Sequence, residues 1–232
     1  MLKIQNLDLT TKEILLYGAN MTLNKGYVYG LSARNGSGKT TLLRTISGLR
    51  KELTGTIMIK ENDNTLNLLN SKRKLFYYET SEWFDLNLSG LDYLKFIEST
   101  WRNKPHMSIE ELISFWEMET YIKRPIKKYS LGMKQKVLLS MYAVSGATYL
   151  LFDEPTIGLD TNSLRRFERL ITSLKNNNTT ILFSSHQNDT LYKICDVIYE
   201  NFENSHKYIL NRVFNYRNCR FILTKSSSLQ FL

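Results

Sequence analysis

Cysteine is almost missing from this chain: Cys195 and Cys219 are the only two in 232 residues. Two thiols without metal-ligand spacing give neither a disulfide framework nor a zinc site, so buried or idle thiols are expected. Proline occurs three times, too rarely for a two-domain protein joined by a linker, and the length fits one elaborated domain or a core with an inserted subdomain. Long apolar runs are also missing. The purest, such as residues 149–152, are strand-sized, far below the ~18 residues that cross a bilayer, so no membrane span is expected. The opening, Met1 Leu2 Lys3 Ile4 Gln5 Asn6 Leu7 Asp8, alternates like a strand and has no continuous apolar region of secretory-signal length. The expected location is the cytosol.

Acid is in short supply, with 22 Asp and Glu against 31 Lys and Arg and a formal charge of +9. Such an excess suits an acidic partner, whether nucleic acid, anionic lipid headgroups or a nucleotide, and it equally suits a solvated basic surface. It is concentrated at the C-terminus, where residues 204–232 hold no acid but include Lys207, Arg212, Arg217, Arg220 and Lys225. At 42% hydrophobic and 23% charged residues the composition is that of a globular protein, which excludes a disordered tail or a collagen-like fibre.

What is present is alternation of strand and helix patterns. Short strands are predicted around Leu2, Ile4 and Leu7, at residues 14–17, and around Met21 and Leu23, with a turn at Asn24, Lys25 and Gly26. The apolar run 27–31 reads as a buried strand and leads through a small polar cluster, residues 32–41, into a helix bearing Leu42, Leu43, Ile46 and Leu49, with Gly48 near its end. Strands follow at 56–60 and 74–78, separated by the turn-rich Asn62, Asp63 and Asn64. The period then becomes helical. Leu88, Leu91, Leu94, Ile97 and Trp101 trace one face; Ser108 and Glu111 form a capping box before Ile109, Leu112, Ile113 and Trp116; a third helix starts at Ser130 with Val137, Leu138, Met141 and Tyr142 inward.

The strand–helix pattern resumes with strand 148–152, a helix bearing Leu164, Phe167, Leu170, Ile171 and Leu174, strand 180–183, a short helix with Leu191 and Ile194, and strand 197–199. The predicted class is α/β, with a mainly parallel sheet covered on both faces, an N-terminal antiparallel β subdomain and a helical insertion at about residues 85–145. Two edge strands are expected near 207–213 and 220–224. The domain is expected to span 1–204, with 205–232 a basic extension.

The sharpest chemical signal is Ala33 Arg34 Asn35 Gly36 Ser37 Gly38 Lys39 Thr40 Thr41, placed between a strand and a helix. Glycines let successive N–H groups approach phosphate oxygens, and the helix N-terminus adds positive partial charge. Lys39 is expected to reach the β- and γ-phosphates, and Thr40 to offer its hydroxyl to Mg²⁺. The phosphate-loop pattern has glycine where this chain has Ala33. The second signal is Leu150 Leu151 Phe152 Asp153 Glu154 Pro155, an apolar strand ending in two acids. There Asp153 is placed to hold Mg²⁺ through a water, and Glu154 to orient or deprotonate an attacking water.

With these residues in place the sequence resembles, over about residues 1–200, the nucleotide-binding domain of ATP-binding cassette transporters. Three further segments carry the resemblance: Tyr129 Ser130 Leu131 Gly132 Met133 Lys134 Gln135 Lys136 is similar to the family's signature motif, Gly158 Leu159 Asp160 to its D-loop, and His186 after Ser184 and Ser185 to its switch histidine. The resemblance implies a head-to-tail homodimer with two ATP molecules sandwiched between subunits. In it Ser130 and the Gly132 backbone contact the γ-phosphate held by the partner's loop, and His186 steadies the attacking water. It also implies a separate membrane permease as partner and a peripheral place on the inner face of the cell membrane. The form of the signature looks like cassettes that serve efflux permeases, so export is expected.

Two family positions find no match: the glutamine that links Mg²⁺ to the transport partner falls near Glu79 and Thr80, and the adenine-stacking aromatic near residues 9–11. Tyr77, Tyr78, Trp83 and Phe84 crowd the former loop, either as satellite core or as a docking groove for a permease helix. Two other functions compete with transport: a nucleic-acid-associated ATPase of the same superfamily, which usually carries two cassettes or a long coiled coil, and a nucleotide sensor without turnover. No nucleic-acid partner is expected.

Overall fold

A computed structural model describes residues 1–10, 14–33, 35–52, 54–61, 64–67, 69–185, 193–204 and 207–213. Strands β1 (Leu2–Thr10), β2 (Ile14–Leu23), β4 (Thr54–Glu61) and β5 (Asn64–Asn67) form an antiparallel sheet in the order β2-β1-β4-β5. In β1 the buried residues Leu2, Ile4, Leu7 and Leu9 alternate with more exposed ones, as a sheet with one face on the core requires.

The larger sheet comprises β3 (Val28–Ser32), β6 (Leu75–Tyr77), β7 (Tyr149–Asp153), β8 (Thr180–Ser185), β9 (Val197–Asn204) and β10 (Lys207–Val213), in the order β10-β9-β3-β8-β7-β6. All its pairs are parallel except the β9–β10 hairpin. Its central strands are apolar on both faces because both are covered. Val28, Leu150, Phe152, Ile181 and Phe183 face one hydrophobic cluster, shared with the helical block. Their neighbours Tyr29, Leu31, Tyr149, Leu151 and Leu182 face a second, shared with the antiparallel sheet and with Leu42, Leu43 and Ile46 of helix α1 (Lys39–Ile46). The expected α/β architecture is therefore the observed one.

The helical block contains α2 (Gly90–Trp101), α3 (Ile109–Trp116) and α4 (Leu131–Val144); α5 (Thr161–Asn176) follows β7. Ser89, Ser108 and Ser130 each cap a helix with a reciprocal bond, and Asp160 caps α5 by accepting from the Ser163 N–H at 2.7 Å. Helix α4 is buried throughout residues 137–144, whereas Ser130 and Leu131 at its start are exposed. One end of the helix is thus fixed in the core and the other is presented at the surface.

Four expectations shift. Residues 14–17 and 21–23 belong to one strand, β2, continuous through Gly18. A strand, β5, starts at Asn64, where a turn was expected, and pairs Leu66 with Ile59. Leu88 precedes α2 and is exposed, because the cap at Ser89 starts the helix one residue later. Leu49 also lies outside its helix and is 61% exposed: α1 ends at Ile46, and Gly48 at φ 76° turns the chain away. The edge strand expected at 207–213 is present as β10, so the basic segment enters the sheet. Cys195 is buried. Leu191, Cys219 and the strand expected at 220–224 lie outside the described residues.

Tyr142 ties α4 to the sheet. Its ring stacks on Phe152 at 3.9 Å between centroids. Its hydroxyl lies 2.6 Å from the Leu151 carbonyl and 3.0 Å from the Tyr78 carbonyl, and accepts from the Tyr78 N–H at 3.2 Å. Tyr142→Phe keeps the packing and strips these groups of their partner, so urea unfolding should show a loss of about 1–3 kcal/mol; a loss near zero would contradict this role.

Candidate active site

Strand register brings the chemistry to one edge. Ser32 at the end of β3 stands opposite Ser185, and Asp153 at the end of β7 opposite Ser184, so three adjacent parallel strands finish together where α/β folds bind ligands. The loop after β3 crosses this edge into α1. Gly36 and Gly38 take positive φ values of 77° and 92°, open to glycine without strain, while Ala33 is not among the residues with positive φ. The methyl of Ala33 therefore adds no backbone strain.

Lys39, at the first turn of α1, is 8% exposed. Its Nζ donates to the Ala33 carbonyl at 2.8 Å and lies 3.8 Å from Glu154 Oε1. Asn35, Gly36, Gly38, Lys39, Thr40, Thr41 and Glu154, with Leu15 of β2, line an open cleft of about 380 Å³. Ser37 lines a small adjoining hollow with Gly38 and Lys39.

Asp153 and Glu154 sit differently although they are neighbours. Burial pushes the Asp153 carboxyl above the usual carboxylate range; hydrogen bonds from Ser184 and Thr40 draw it down without cancelling the shift, and the charges of Glu154 and Glu79 add to it. Ser184 Oγ donates to Asp153 Oδ1 at 2.5 Å and accepts from the Glu154 N–H at 3.0 Å. Glu154 itself lies at φ 47°, in the left-handed region that is strained for a residue with a side chain. Thr40 and Asp153 thus face each other with hard oxygen donors beside the lysine-bearing loop, the donor chemistry suited to a small divalent cation. Among the described residues no cluster of three or more His, Cys, Asp or Glu stands ready for a metal ion.

Ser130 and Gly132 are not brought into this cleft. Ser130 Oγ accepts from the Met133 N–H at 3.2 Å at the exposed tip of α4. Gly132 lies against the loop that leaves β7, where an added Cβ would stand 2.8 Å from the Gly158 carbonyl. Neither lines the cleft of the same chain. Arg34 and His186 lie outside the described residues.

Two features escaped the sequence reading. Ser184 was visible only as a residue before His186, and its bridging role follows from strand register, which no local motif encodes. Arg44 of α1 grips Glu79 with two guanidinium nitrogens, and the Tyr77 hydroxyl donates to the same carboxylate at 3.1 Å. Glu79 is therefore occupied by Arg44, and burial raises the pKa of Tyr77 far above its ordinary value.

A glycine-bearing loop, a buried lysine and a strand-terminal acid pair on a parallel sheet define a P-loop nucleoside triphosphatase. The family model described as ABC transporter matches residues 16–157. The lantibiotic transport ATP-binding protein SrtF of Streptococcus pyogenes is 32% identical over 199 residues, covering 85% of this chain and 85% of that protein. In fold, the ATP binding subunit of an ABC transporter superposes with a TM-score of 0.78 at 22% identity, covering 92% of this chain and 90% of that one. The cassette MJ0796, solved as a dimer in a post-hydrolysis state bound to ADP and Pi, gives 0.76 at 20% identity, covering 94% and 100%. The chain belongs to the ABC transporter family as one of its ATP-binding subunits: it is an ATPase that drives a permease. No helix among the described residues is long and apolar enough to cross a membrane.

The environment of Asp153 makes a prediction of opposite signs. A carboxylate whose pKa is raised on folding costs the native state stability when it ionises, so stability falls as pH rises through that range. Asp153→Asn removes the buried charge. The nucleotide-free variant should melt no lower than wild type, while ATP turnover falls by roughly a hundredfold or more. Calorimetry and phosphate release check the two halves separately.

Proposed function

We propose that this chain is the ATPase subunit of a two-component exporter, acting as a head-to-tail pair with ATP between its copies and docked on a separate permease at the inner face of the membrane. The observation that carries this reading is that Lys39, Thr40 and Glu154 line one cleft, with Asp153 hydrogen-bonded to Thr40. In the cleft Lys39 is shared between the Ala33 carbonyl and Glu154. Phosphate oxygens of a bound nucleotide would accept from that ammonium and from the loop N–H groups, and Glu154 would then be placed to take the proton of an attacking water.

Thr40 and Asp153 would hold Mg²⁺, which would neutralise charge developing on the transferred phosphoryl group. Arg34, Asn35, Gly36, Ser37, Gly38 and Thr41 wrap the phosphates, His186 steadies the water, and Ser130 with the Gly132 backbone closes on the nucleotide held by the other copy. The absence of Ser130 and Gly132 from their own chain's cleft agrees with service in a partner's.

Likeness to a lantibiotic transport protein supports export. The docking face lies on the helical block, where Trp83, Leu86, Leu88 and Phe96 are 47%, 49%, 44% and 60% exposed while Phe84 is buried. Of the aromatics near Glu79, Phe84 belongs to the core and Trp83 to the surface, and exposed apolar side chains of this number suit a partner. The cassette spans residues 1–204 in this reading, with the basic segment 205–232 extending it through β10.

Glu154→Gln should bind ATP as wild type does and release phosphate roughly a hundred to ten thousand times more slowly, and Lys39→Ala should lose binding. Equal phosphate release by Glu154→Gln and wild type would remove Glu154 as the base. Stimulation of turnover by DNA or RNA, and not by permease-bearing vesicles, would favour the nucleic-acid ATPase. Phe96→Glu should abolish co-sedimentation with such vesicles while basal hydrolysis stays unchanged; retained binding would place the docking face elsewhere.

A further inference from the structure

Glu154 needs more than its own strand to keep it where it is. A residue with a side chain at φ 47° holds that conformation only when its surroundings fix it on both sides. Ser184 fixes the near side, through the Glu154 N–H. The far side is fixed from α4: Gln135 Nε2 donates to the carbonyl of Pro155, the next residue, at 2.8 Å.

Gln135 is 5% exposed on a helix whose following residues, Val137, Leu138 and Leu139, are buried and apolar. A carboxamide in such surroundings is costly unless bonded, and the Pro155 carbonyl supplies the acceptor. The same stretch is closely seated against the first turn of α4. A Cβ at Gly158 would meet Leu131 Cγ at 2.7 Å, and one at Gly132 would meet the Gly158 carbonyl at 2.8 Å. The helix that presents Ser130 and the loop that carries Glu154 are thereby one mechanical piece.

We infer that Gln135 is a positioning residue for hydrolysis. It anchors the backbone beyond Glu154 so that the carboxylate is aimed at the water, and it passes any shift of the Ser130 end of α4 to that carboxylate. This rests on the reading of Glu154 as the base. A small error in aim is costly to a proton transfer that depends on hydrogen-bond geometry.

The test uses two substitutions in the full chain. Gln135→Met keeps the length of the side chain and removes the donor; its kcat should fall about tenfold or more, with KM and the Kd for ATP within about twofold of wild type. Placed in the Glu154→Gln background, it should add no further fall in the single-turnover rate, because both act through one group. Unchanged kcat, or a fall that multiplies in the double variant, overturns the inference. Gln135→Glu decides the matter even if the methionine variant does not fold. As a neutral acid its O–H can still donate to the Pro155 carbonyl, and once ionised it cannot, so kcat should fall with rising pH along a limb that wild type lacks. A pH profile matching wild type overturns the inference. If Glu154→Gln alone turns over like wild type, the base assignment fails, an outcome distinct from retained kcat in Gln135→Met.

Discussion

The site is held together by the parallel register of β3, β8 and β7. Ser185 stands beside Ser32 and Ser184 beside Asp153, so a slip of one residue along β8 would turn its serines to the opposite face and break the bridge from Ser184 to Asp153 and Glu154. The register is fixed in turn by burial on both faces, since Ile181 and Phe183 belong to one hydrophobic cluster and Leu182 to the other. The position of a carboxylate that handles a proton is thus inherited from the packing of apolar side chains two residues away.

Charge is arranged around that frame by neutralisation at short range. Lys39 is almost fully buried, yet it is supplied with the Ala33 carbonyl and a carboxylate, so its charge is compensated within the protein. Arg44 and Glu79 repeat the pattern a turn further along α1 and fasten that helix to the segment leading into the helical block. At the position where the family resemblance implies a glutamine, the chain has Glu79, already committed to Arg44.

Much of this was legible in the sequence, for reasons that can be named residue by residue. The glycine-rich loop, the acid pair after residues 150–152 and the serine before α4 are local patterns, because phosphate binding, strand termination and helix capping are local physics. Helices α2 and α3 announced themselves through apolar spacing and capping residues. What could not be read is long-range. Ser184 acquires its partners through strand pairing, Gln135 through the docking of a helix on a loop 20 residues away, and Arg44 through the approach of two segments 35 residues apart. The edges of elements were missed for the opposite reason: at Leu88 and Leu49 a strong apolar residue continued the pattern past a cap or a turn that outweighed it.

The last described strand, β10, runs against its neighbour, whereas every other pair in its sheet runs alongside. A parallel strand needs a long crossover to gain a neighbour, so β9 alone would leave an unsatisfied ladder open to any extended chain that passed by. By doubling back, the polypeptide supplies that ladder with its own sequence. On its far side β10 lies beside β2, so the hairpin brings the edge of the larger sheet up to the antiparallel one. A segment that reads at first as a loose basic tail therefore begins as a strand that ties one sheet to the other.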